Sequence, residues 1–356
     1  MKFAKSVANH VSVPHGGIYS IESQNSSIVD FSSNVNPLGF PPSVKKLLKT
    51  NLKQITVYPD SNSKKLRASL SKYIKVSTDN IVVGNGATEI IYNFCQAVIT
   101  KYTPVLIPIP TFGEYEAASR LCGGKIEFFK TMNLNYDVSD FIKKIPKNGC
   151  IFICNPNNPT GVLASKDTML QILRVAKKLS TLVFVDECFM ELTQNPQESL
   201  IDHLKIGNLF VLRSLTKSFG LAGLRIGYGI GDKKTILILN NIKIPWNVGG
   251  ISQDAAVLAL SDKDFLSKTK NLIKQEHAFL QNSISKLEKF SCFPSSTNFI
   301  LIKTKIQSKT LQKKLLKKNI LIRDGSTFRG LNDSYIRIAV KTHKENVKLV
   351  SALEKI

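Results

Sequence analysis

Several features that mark other classes of protein are missing from this chain of 356 residues. No apolar run is long enough to span a bilayer, and residues 1–6 lack the apolar core and cleavage site of a secretory signal. The cysteines form no C-x-x-C pair and no zinc-finger spacing, and most sit among apolar neighbours, as buried free thiols do: Cys95, Cys122, Cys150, Cys154, Cys188 and Cys292. We therefore expect a cytoplasmic protein with no membrane partner and no metal site.

Acidic residues are also scarce, since 26 of them stand against 49 lysines and arginines, a formal charge of +23. Such a charge permits binding to nucleic acid or to an anionic substrate. The excess is mostly lysine in short clusters, as at 313–314 and 317–318, on candidate amphipathic helices, so solvated helix faces explain it better. Because an aromatic-and-basic ribonucleoprotein motif is also missing, we expect no nucleic-acid partner. A basic nucleic-acid-binding protein on a degenerate enzyme fold stays open as a third hypothesis.

The remainder of the chain alternates short apolar runs with amphipathic helical patterns. Continuous β-branched and apolar runs predict strands at 81–83, 105–107, 150–154, 182–185 and 209–212. Strands of this kind separated by helices are typical of a mostly parallel sheet, so the predicted fold class is α/β. A tail with helical periodicity at 251–289 and strands near 298–303 and 335–340 predicts a smaller α+β unit.

A chain of this length can bury one large and one small core. Residues 1–42 are irregular and rich in turn formers, and a helix is predicted at residues 43–53. We therefore expect three parts: an N-terminal arm (1–42) that joins the small domain and the active site, a large domain (43–247) and a small C-terminal domain (248–356). The chain has no internal repeat and no low-complexity linker.

Polar and turn-forming segments follow four of the predicted strands. They occupy 84–88, 155–161, 186–189 and 213–217. Ligands of a parallel α/β sheet bind at the carboxyl ends of its strands, where these segments would meet. The convergence predicts one binding site at that edge of the large sheet.

A single lysine in the stretch 212–228 is the candidate centre of that site. Lys217 follows the hydroxyls of Ser214 and Thr216 and precedes Arg225. A lysine needs to be neutral to react with a carbonyl cofactor, and an apolar pocket with a second cation lowers its pKa. The hydroxyls and the guanidinium could hold a phosphate beside it. A reactive lysine with a phosphate anchor indicates pyridoxal 5'-phosphate (PLP), although a solvated loop lysine is the alternative.

The other strand ends carry groups that suit the same cofactor. Gly86-Ala87-Thr88 lie in a glycine turn between a strand and a helix predicted at 90–98, a geometry that offers backbone N–H groups to a phosphate. Asp186 can give a carboxylate to a pyridine nitrogen, and Asn158 can donate to a phenolic oxygen. Phe112 can stack on the ring face.

Taken together and in order, the motifs resemble those of fold-type I PLP enzymes in the class I/II aminotransferase superfamily, over essentially the whole chain. They are Asn-Asn-Pro-Thr-Gly at 157–161, Val-Asp-Glu at 185–187, Ser-Leu-Thr-Lys at 214–217 with Arg225, and Tyr-Ile-Arg-Ile-Ala-Val at 335–340. The resemblance implies a large domain with a mostly parallel central sheet and a smaller C-terminal α+β domain. It also implies that PLP is carried by Lys217, paired with Asp186, stacked by Phe112 and bonded at its ring oxygen by Asn158. Its phosphate would be held by Gly86, Ala87, Thr88, Ser214, Thr216 and Arg225.

The resemblance further implies a homodimer with a shared active site, in which Tyr58 reaches the phosphate of the partner subunit's cofactor. Substrate-binding residues by the same resemblance are His15, Asn34, Asn158, Arg323 and Arg337. From the residues alone, Arg323 could instead form a surface ion pair, and His15 could be a structural turn residue.

Two subfamilies compete for the activity. Histidinol-phosphate aminotransferases share most of the motifs. Threonine-phosphate decarboxylases, which make the aminopropanol phosphate linker of cobalamin, share more of them. The additional features include His-Gly-Gly at 15–17 and the segments 34–39 and 321–331. Aminotransferases usually carry Asp-x-x-Tyr, but this chain has Asp-Glu-Cys-Phe at 186–189. The resemblance therefore favours decarboxylation of O-phospho-L-threonine, with transamination of histidinol phosphate as the alternative. Phosphothreonine and phosphoserine differ by one methyl group and are not separated.

Overall fold

The computed structural model describes residues 5–22 and 27–356, so residues 1–4 of the segment considered for a signal lie outside the described residues. The β-strands are short, and most of them are buried. They are β1 Val29–Asp30, β2 Ile81–Asn85, β3 Pro104–Ile109, β4 Lys125–Lys130, β5 Cys150–Cys154, β6 Leu182–Asp186, β7 Leu209–Ser214, β8 Ile226–Ile230, β9 Phe290–Cys292, β10 Phe299–Thr304, β11 Ile320–Leu321, β12 Arg323–Asp324 and β13 Tyr335–Ala339.

The helices fill the connections between strands. They are α1 Lys5–Ala8, α2 Pro42–Thr50, α3 Lys64–Ile74, α4 Gly86–Val98, α5 Glu114–Leu121, α6 Leu134–Lys143, α7 Lys166–Lys178, α8 Leu215–Ser218, α9 Lys233–Ile242, α10 Gly250–Ser261, α11 Phe265–Ile284, α12 Ser308–Leu316 and α13 His343–Glu354. Among the described residues, none of these helices is long and apolar enough to cross a membrane.

The largest sheet has seven strands in the order β2-β8-β7-β6-β5-β3-β4. Neighbouring strands from β7 to β4 run parallel, whereas β8 is antiparallel to both β7 and β2. The predicted α/β fold class with a mostly parallel sheet is therefore confirmed. The antiparallel strand β8 was not predicted, because its sequence Ile-Gly-Tyr-Gly-Ile alternates with glycine and carries a weak strand signal.

Side chains of this sheet alternate between two hydrophobic cores. Ile151, Val183 and Val211 point to a core that includes residues of α3, α7 and α10. Phe152 and Phe184 point to the other core, which includes residues of α4, α5 and α9. Because both faces are covered by helices, the central strands are apolar throughout, which is why their apolar runs predicted strands.

A second, four-stranded sheet in the order β12-β13-β10-β9 has its own core with α11, α12 and α13. In the N-terminal arm, β1 pairs in parallel with β11, next to this sheet. Helix α10 packs on α2 and α3 beside the large sheet, although it lies beyond residue 247. The division into 1–42, 43–247 and 248–356 stays a prediction.

Two helices differ from their predicted bounds. The helix expected at 43–53 ends at Thr50 and is followed by a tighter turn over Leu52–Thr56. The helix expected from residue 90 begins four residues earlier, at Gly86. This earlier start is the more important one, because it turns the glycine segment after β2 into a helix N-terminus.

Candidate active site

A cavity of about 430 Å³ lies where the carboxyl ends of the large sheet meet the four-stranded sheet. Most residues predicted for the site line it, although they come from distant parts of the chain: His15, Asn34, Ala87, Thr88, Phe112, Asn158, Asp186, Ser214, Thr216, Lys217, Arg225, Arg323 and Arg337. The segments that follow β2, β5, β6 and β7 meet here, as the edge argument predicts. Their roles remain proposals.

Lys217 lies in the short helix α8, directly after β7. The Ser214 side chain caps this helix by accepting a hydrogen bond from the backbone N–H of Thr216 at 3.2 Å. Burial lowers the pKa of Lys217 to about 8, and the positive charges of Arg337 and Arg225 act in the same direction. An amine of this kind is partly neutral near neutral pH, so it can act as a nucleophile or exchange a proton.

Asp186 ends β6 and is buried on the floor of the cavity. Its Oδ2 accepts a hydrogen bond from the hydroxyl of Tyr115 at 2.6 Å, and its Oδ1 accepts one from the backbone N–H of Cys188 at 2.9 Å. Burial raises the pKa of Asp186, while the side-chain and backbone hydrogen bonds oppose that shift. The carboxylate is therefore held in one orientation.

The N-terminus of α4 forms another wall of the cavity with Arg225. Gly86 has a φ of +82°, and a Cβ at this position would collide with the Arg225 guanidinium. Arg225 itself has a φ of +52°, an uncommon conformation for a residue other than glycine. The first turn of a 13-residue helix leaves backbone N–H groups without helical partners, and Ala87 and Thr88 of that turn line the cavity beside a guanidinium. This arrangement suits a phosphate.

Arg337 of β13 is buried and lines the cavity. Its Nη1 donates to Asn158 Oδ1 at 2.5 Å and its Nη2 to the carbonyl of Ser32 at 2.6 Å, whereas its buried Nε has no partner among the described residues. Burial, together with the charge of Arg323, lowers the pKa of Arg337 to about 9. A buried guanidinium with a free N–H favours an anionic ligand.

Two amides of the cavity also keep unused hydrogen-bonding groups. The NH2 group of Asn158 has no partner among the described residues, because only its oxygen is engaged. The Oδ1 of Asn34 is buried and lacks a partner in the part of the chain that the structure describes. Buried polar groups are normally paired, so the Asn34 oxygen indicates a ligand, and the NH2 group of Asn158 is free to donate to one.

Arg323 and His15 approach the cavity from the small sheet and from the arm. Arg323 is only 8% exposed, donates to the carbonyl of Pro14 at 2.5 Å and lies over the ring of Phe328. This burial excludes the alternative of a surface ion pair. His15 bonds through Nε2 to Glu114 at 2.7 Å and lies with its ring centroid 6.0 Å from that of Phe112.

Two predicted residues do not line the cavity. Gly86 lies just outside it, in contact with Arg225. Tyr58 is 80% exposed and packs on Trp246, with 5.0 Å between ring centroids. A site for Tyr58 in a partner subunit stays a prediction.

Several cavity contacts were missed from the sequence. Tyr115 and Glu114 make the hydrogen bonds to Asp186 and His15, and their position just after Phe112 at the start of a helix was the available signal. Cys154 and Thr327 line the wall without having been singled out. No group of three or more His, Cys, Asp or Glu side chains that could hold a metal occurs in residues 5–22 and 27–356.

The donors of this cavity fit PLP. A lysine with a lowered pKa, a buried carboxylate and a free carboxamide lie around one space, and a helix N-terminus with an arginine borders it. A basic amine, a partner for a pyridine nitrogen, a donor for a ring oxygen and a phosphate cradle are the four contacts that this cofactor requires.

Known proteins are similar to this chain in sequence and in fold. Over residues 26–353 the chain matches the family model "Aminotransferase class I and II". It is 34% identical over 336 residues to a histidinol-phosphate aminotransferase of Methanococcus aeolicus, covering 92% of this chain and 90% of that protein. More relatives bear the aminotransferase name than the threonine-phosphate decarboxylase name.

Two solved structures are also similar. The histidinol-phosphate aminotransferase of Clostridium acetobutylicum has a TM-score of 0.84 and 33% identity, covering 91% of this chain and 98% of that one. The L-threonine-O-3-phosphate decarboxylase of Porphyromonas gingivalis has a TM-score of 0.83 and 30% identity, covering 92% and 99%. The chain therefore belongs to the class I and II aminotransferase family of PLP-dependent enzymes, with their type I fold.

Proposed function

We propose that this enzyme decarboxylates O-phospho-L-threonine to (R)-1-amino-2-propanol O-2-phosphate and CO2. The observation that carries the proposal is Phe189, which lines the cavity three residues after Asp186. Its ring packs edge-on against Phe299, with 5.1 Å between centroids. The related aminotransferases usually place a tyrosine hydroxyl at this point, and no tyrosine lines the cavity in the described part of this chain. Without that hydroxyl, Asn158 is the donor left for the ring oxygen of the cofactor.

The charges of the cavity favour a substrate with more than one anionic group. Apart from Arg225, which lies at the phosphate cradle, Arg323, Arg337 and His15 provide three cationic or protonatable side chains. O-phospho-L-threonine has a carboxylate and a phosphate, so both anions would find donors. In this proposal Asn34 adds a hydrogen bond from the arm side. The aminopropanol phosphate product connects the enzyme to cobalamin biosynthesis.

The protein's own groups then do the following work. When bound, PLP supplies an electron sink for negative charge that develops at the substrate Cα. Asp186 would present its carboxylate to the pyridine nitrogen, and Phe112 would cover the ring. The arginines would hold the substrate so that its Cα–carboxylate bond, rather than its Cα–H bond, is the one that breaks. Lys217, with its pKa near 8, returns a proton to Cα after CO2 leaves.

Histidinol-phosphate aminotransferase activity is the second candidate. It is supported by the larger number of relatives with that name and by a phosphate group common to both substrates. In that reaction Lys217 would move the Cα proton instead, and a keto acid would accept the amino group.

We also infer a homodimer and a cytoplasmic setting. The exposed Tyr58 and Trp246 are large rings outside the cavity of their own chain, which suits a contact with a second copy. All six cysteines are free, as expected in a reducing compartment.

The test is to mix the PLP-loaded protein with O-phospho-L-threonine, without a keto acid, and to quantify CO2 and the amine product. Catalytic release of CO2 with aminopropanol phosphate supports the proposal. If instead no CO2 forms and histidinol phosphate converts the cofactor to its amine form, the second candidate replaces the first. O-phospho-L-serine in a parallel reaction measures the contribution of the substrate methyl group.

A further inference from the structure

A chain of hydrogen bonds links the arm to the core beside the cavity. The Tyr92 hydroxyl of α4 donates to Glu114 Oε2 at 2.7 Å, and His15 Nε2 bonds Glu114 Oε1, also at 2.7 Å. The Glu114 side chain is 7% exposed, whereas that of His15 is 54% exposed. A buried carboxylate therefore connects a core helix to an imidazole at the mouth of the cavity.

Glu114 is held as a carboxylate in a fixed orientation. Burial alone would raise its pKa, but the hydrogen bonds from His15 and Tyr92 outweigh burial and keep the pKa below its ordinary value. His10 of the arm adds a smaller effect in the same direction. With each oxygen bonded to a different partner, the carboxylate cannot rotate without losing one of the two bonds.

The backbone around His15 is irregular, since residues 10–16 of the arm contain neither helix nor strand. Next to it, the Pro14 carbonyl accepts a hydrogen bond from Arg323, and the Gly17 backbone N–H donates to the Ser32 hydroxyl. The second ring nitrogen of His15, Nδ1, has no hydrogen-bond partner among the described residues. Because Nε2 is occupied by Glu114, Nδ1 is the atom through which the imidazolium form can donate to a ligand in the cavity.

We propose that Glu114, oriented by Tyr92, is a positioning residue that holds the His15 imidazolium so that Nδ1 donates to the phosphate monoester of the substrate. This inference rests on the proposed function only in that the substrate is a phosphorylated amine, which is true of both candidate substrates. The carboxylate acts through the histidine and does not touch the ligand.

The test titrates PLP-loaded protein and follows the cofactor absorbance with two pairs of ligands: O-phospho-L-threonine with L-threonine, and histidinol phosphate with histidinol. Glu114→Gln weakens binding of the phosphorylated ligands about tenfold and changes binding of the unphosphorylated ones less than about twofold. In turnover, KM rises and kcat stays the same. Glu114→Gln adds no further loss in a His15→Ala background, because both changes remove the same contact.

Two variants keep the result interpretable. Tyr92→Phe removes one oxygen atom and weakens phosphate-dependent binding less than Glu114→Gln does. Glu127→Gln on β4 changes an exposed ion pair with Lys144 and leaves the binding of both ligand pairs unaffected. Thermal melting of each variant measures any structural loss separately.

The proposal is overturned if the losses of binding affinity from Glu114→Gln and His15→Ala are additive. It is also overturned if Glu114→Gln weakens the binding of L-threonine as much as the binding of O-phospho-L-threonine. These outcomes leave the proposed function intact. If the wild-type protein prefers neither phosphorylated ligand over its unphosphorylated counterpart, the proposed function fails as well.

Discussion

Lys217 shows how one residue acquires its reactivity from neighbours far away in the chain. Burial lowers its pKa to about 8, and Arg337, 120 positions later, contributes the next largest effect through its positive charge. Asp186 and Cys188 act in the opposite direction but are outweighed. The same arginine that is proposed to hold a substrate anion therefore also lowers the pKa of the lysine before that anion arrives.

This coupling predicts the pH dependence of cofactor capture by the apoprotein. Since only the neutral amine reacts, the rate rises with pH and reaches half its maximum near 8, the folded pKa of Lys217. Arg337→Met removes a positive charge, so the pKa of Lys217 rises and the midpoint moves to higher pH. Stopped-flow absorbance from pH 6 to 10 measures both curves. Lys233→Met, at an exposed ion pair, is the control. Identical midpoints for wild type and Arg337→Met would contradict the coupling.

At the scale of elements, the start of α5 organises one side of the cavity. Phe112 lies in the wall just before the helix, Glu114 in the first turn bonds His15, and Tyr115 bonds Asp186. Tyr115 is completely buried, and its ring stacks on Phe152 with 5.5 Å between centroids. A rigid ring therefore carries the hydroxyl that orients the Asp186 carboxylate.

Tyr115→Phe is expected to weaken PLP binding. The change leaves the packing intact but removes a hydrogen bond to a charged group, which contributes about 1.5–3 kcal/mol and corresponds to roughly a 10–100-fold loss of affinity. The pKa of Asp186 rises further, because a donor that lowers it is gone. Equilibrium dialysis of PLP measures the affinity. Tyr136→Phe, at a tyrosine 85% exposed on α6, should bind PLP like the wild type. If Tyr115→Phe binds PLP with the affinity of the wild type, the role of Asp186 in PLP binding does not depend on this hydrogen bond.

The same elements show what the sequence could predict. The apolar runs of β5, β6 and β7 are continuous because helices cover both faces of their sheet, so the strands and the polar segments after them were predictable. The bonds from Tyr115 to Asp186 and from His15 to Glu114 span 71 and 99 positions. Tertiary packing creates such pairs, and no local pattern marks them. The glycine-rich strand β8 was missed for the opposite reason, because its local signal is weak.

At the scale of the whole molecule, large apolar side chains are exposed away from the cavity. We call the group formed by Leu52, Ile55, Val57, Tyr58, Ile244 and Trp246 the apolar patch, and its members are between 51% and 80% exposed. The two segments that form it are joined by the Tyr58–Trp246 ring contact and by a hydrogen bond from Lys243 to the Ser61 carbonyl. Exposed apolar side chains on two adjoining segments are typical of a protein–protein interface, and a second copy of the chain is the partner we propose.

The apolar patch predicts that the protein sediments at twice the 39.5 kDa of one chain. Analytical ultracentrifugation at about 0.15 M salt is the measurement, because salt screens the repulsion between two chains of formal charge +23 each.

Ile55→Asp places a charge in the proposed dimer contact and shifts the protein to the monomer. If Tyr58 reaches the partner's cofactor, this monomer also loses affinity for PLP, although every residue of its own cavity is unchanged. Tyr136→Asp, at an exposed site outside the patch, keeps the dimer. A wild-type monomer that binds PLP tightly would mean that one chain completes the site alone.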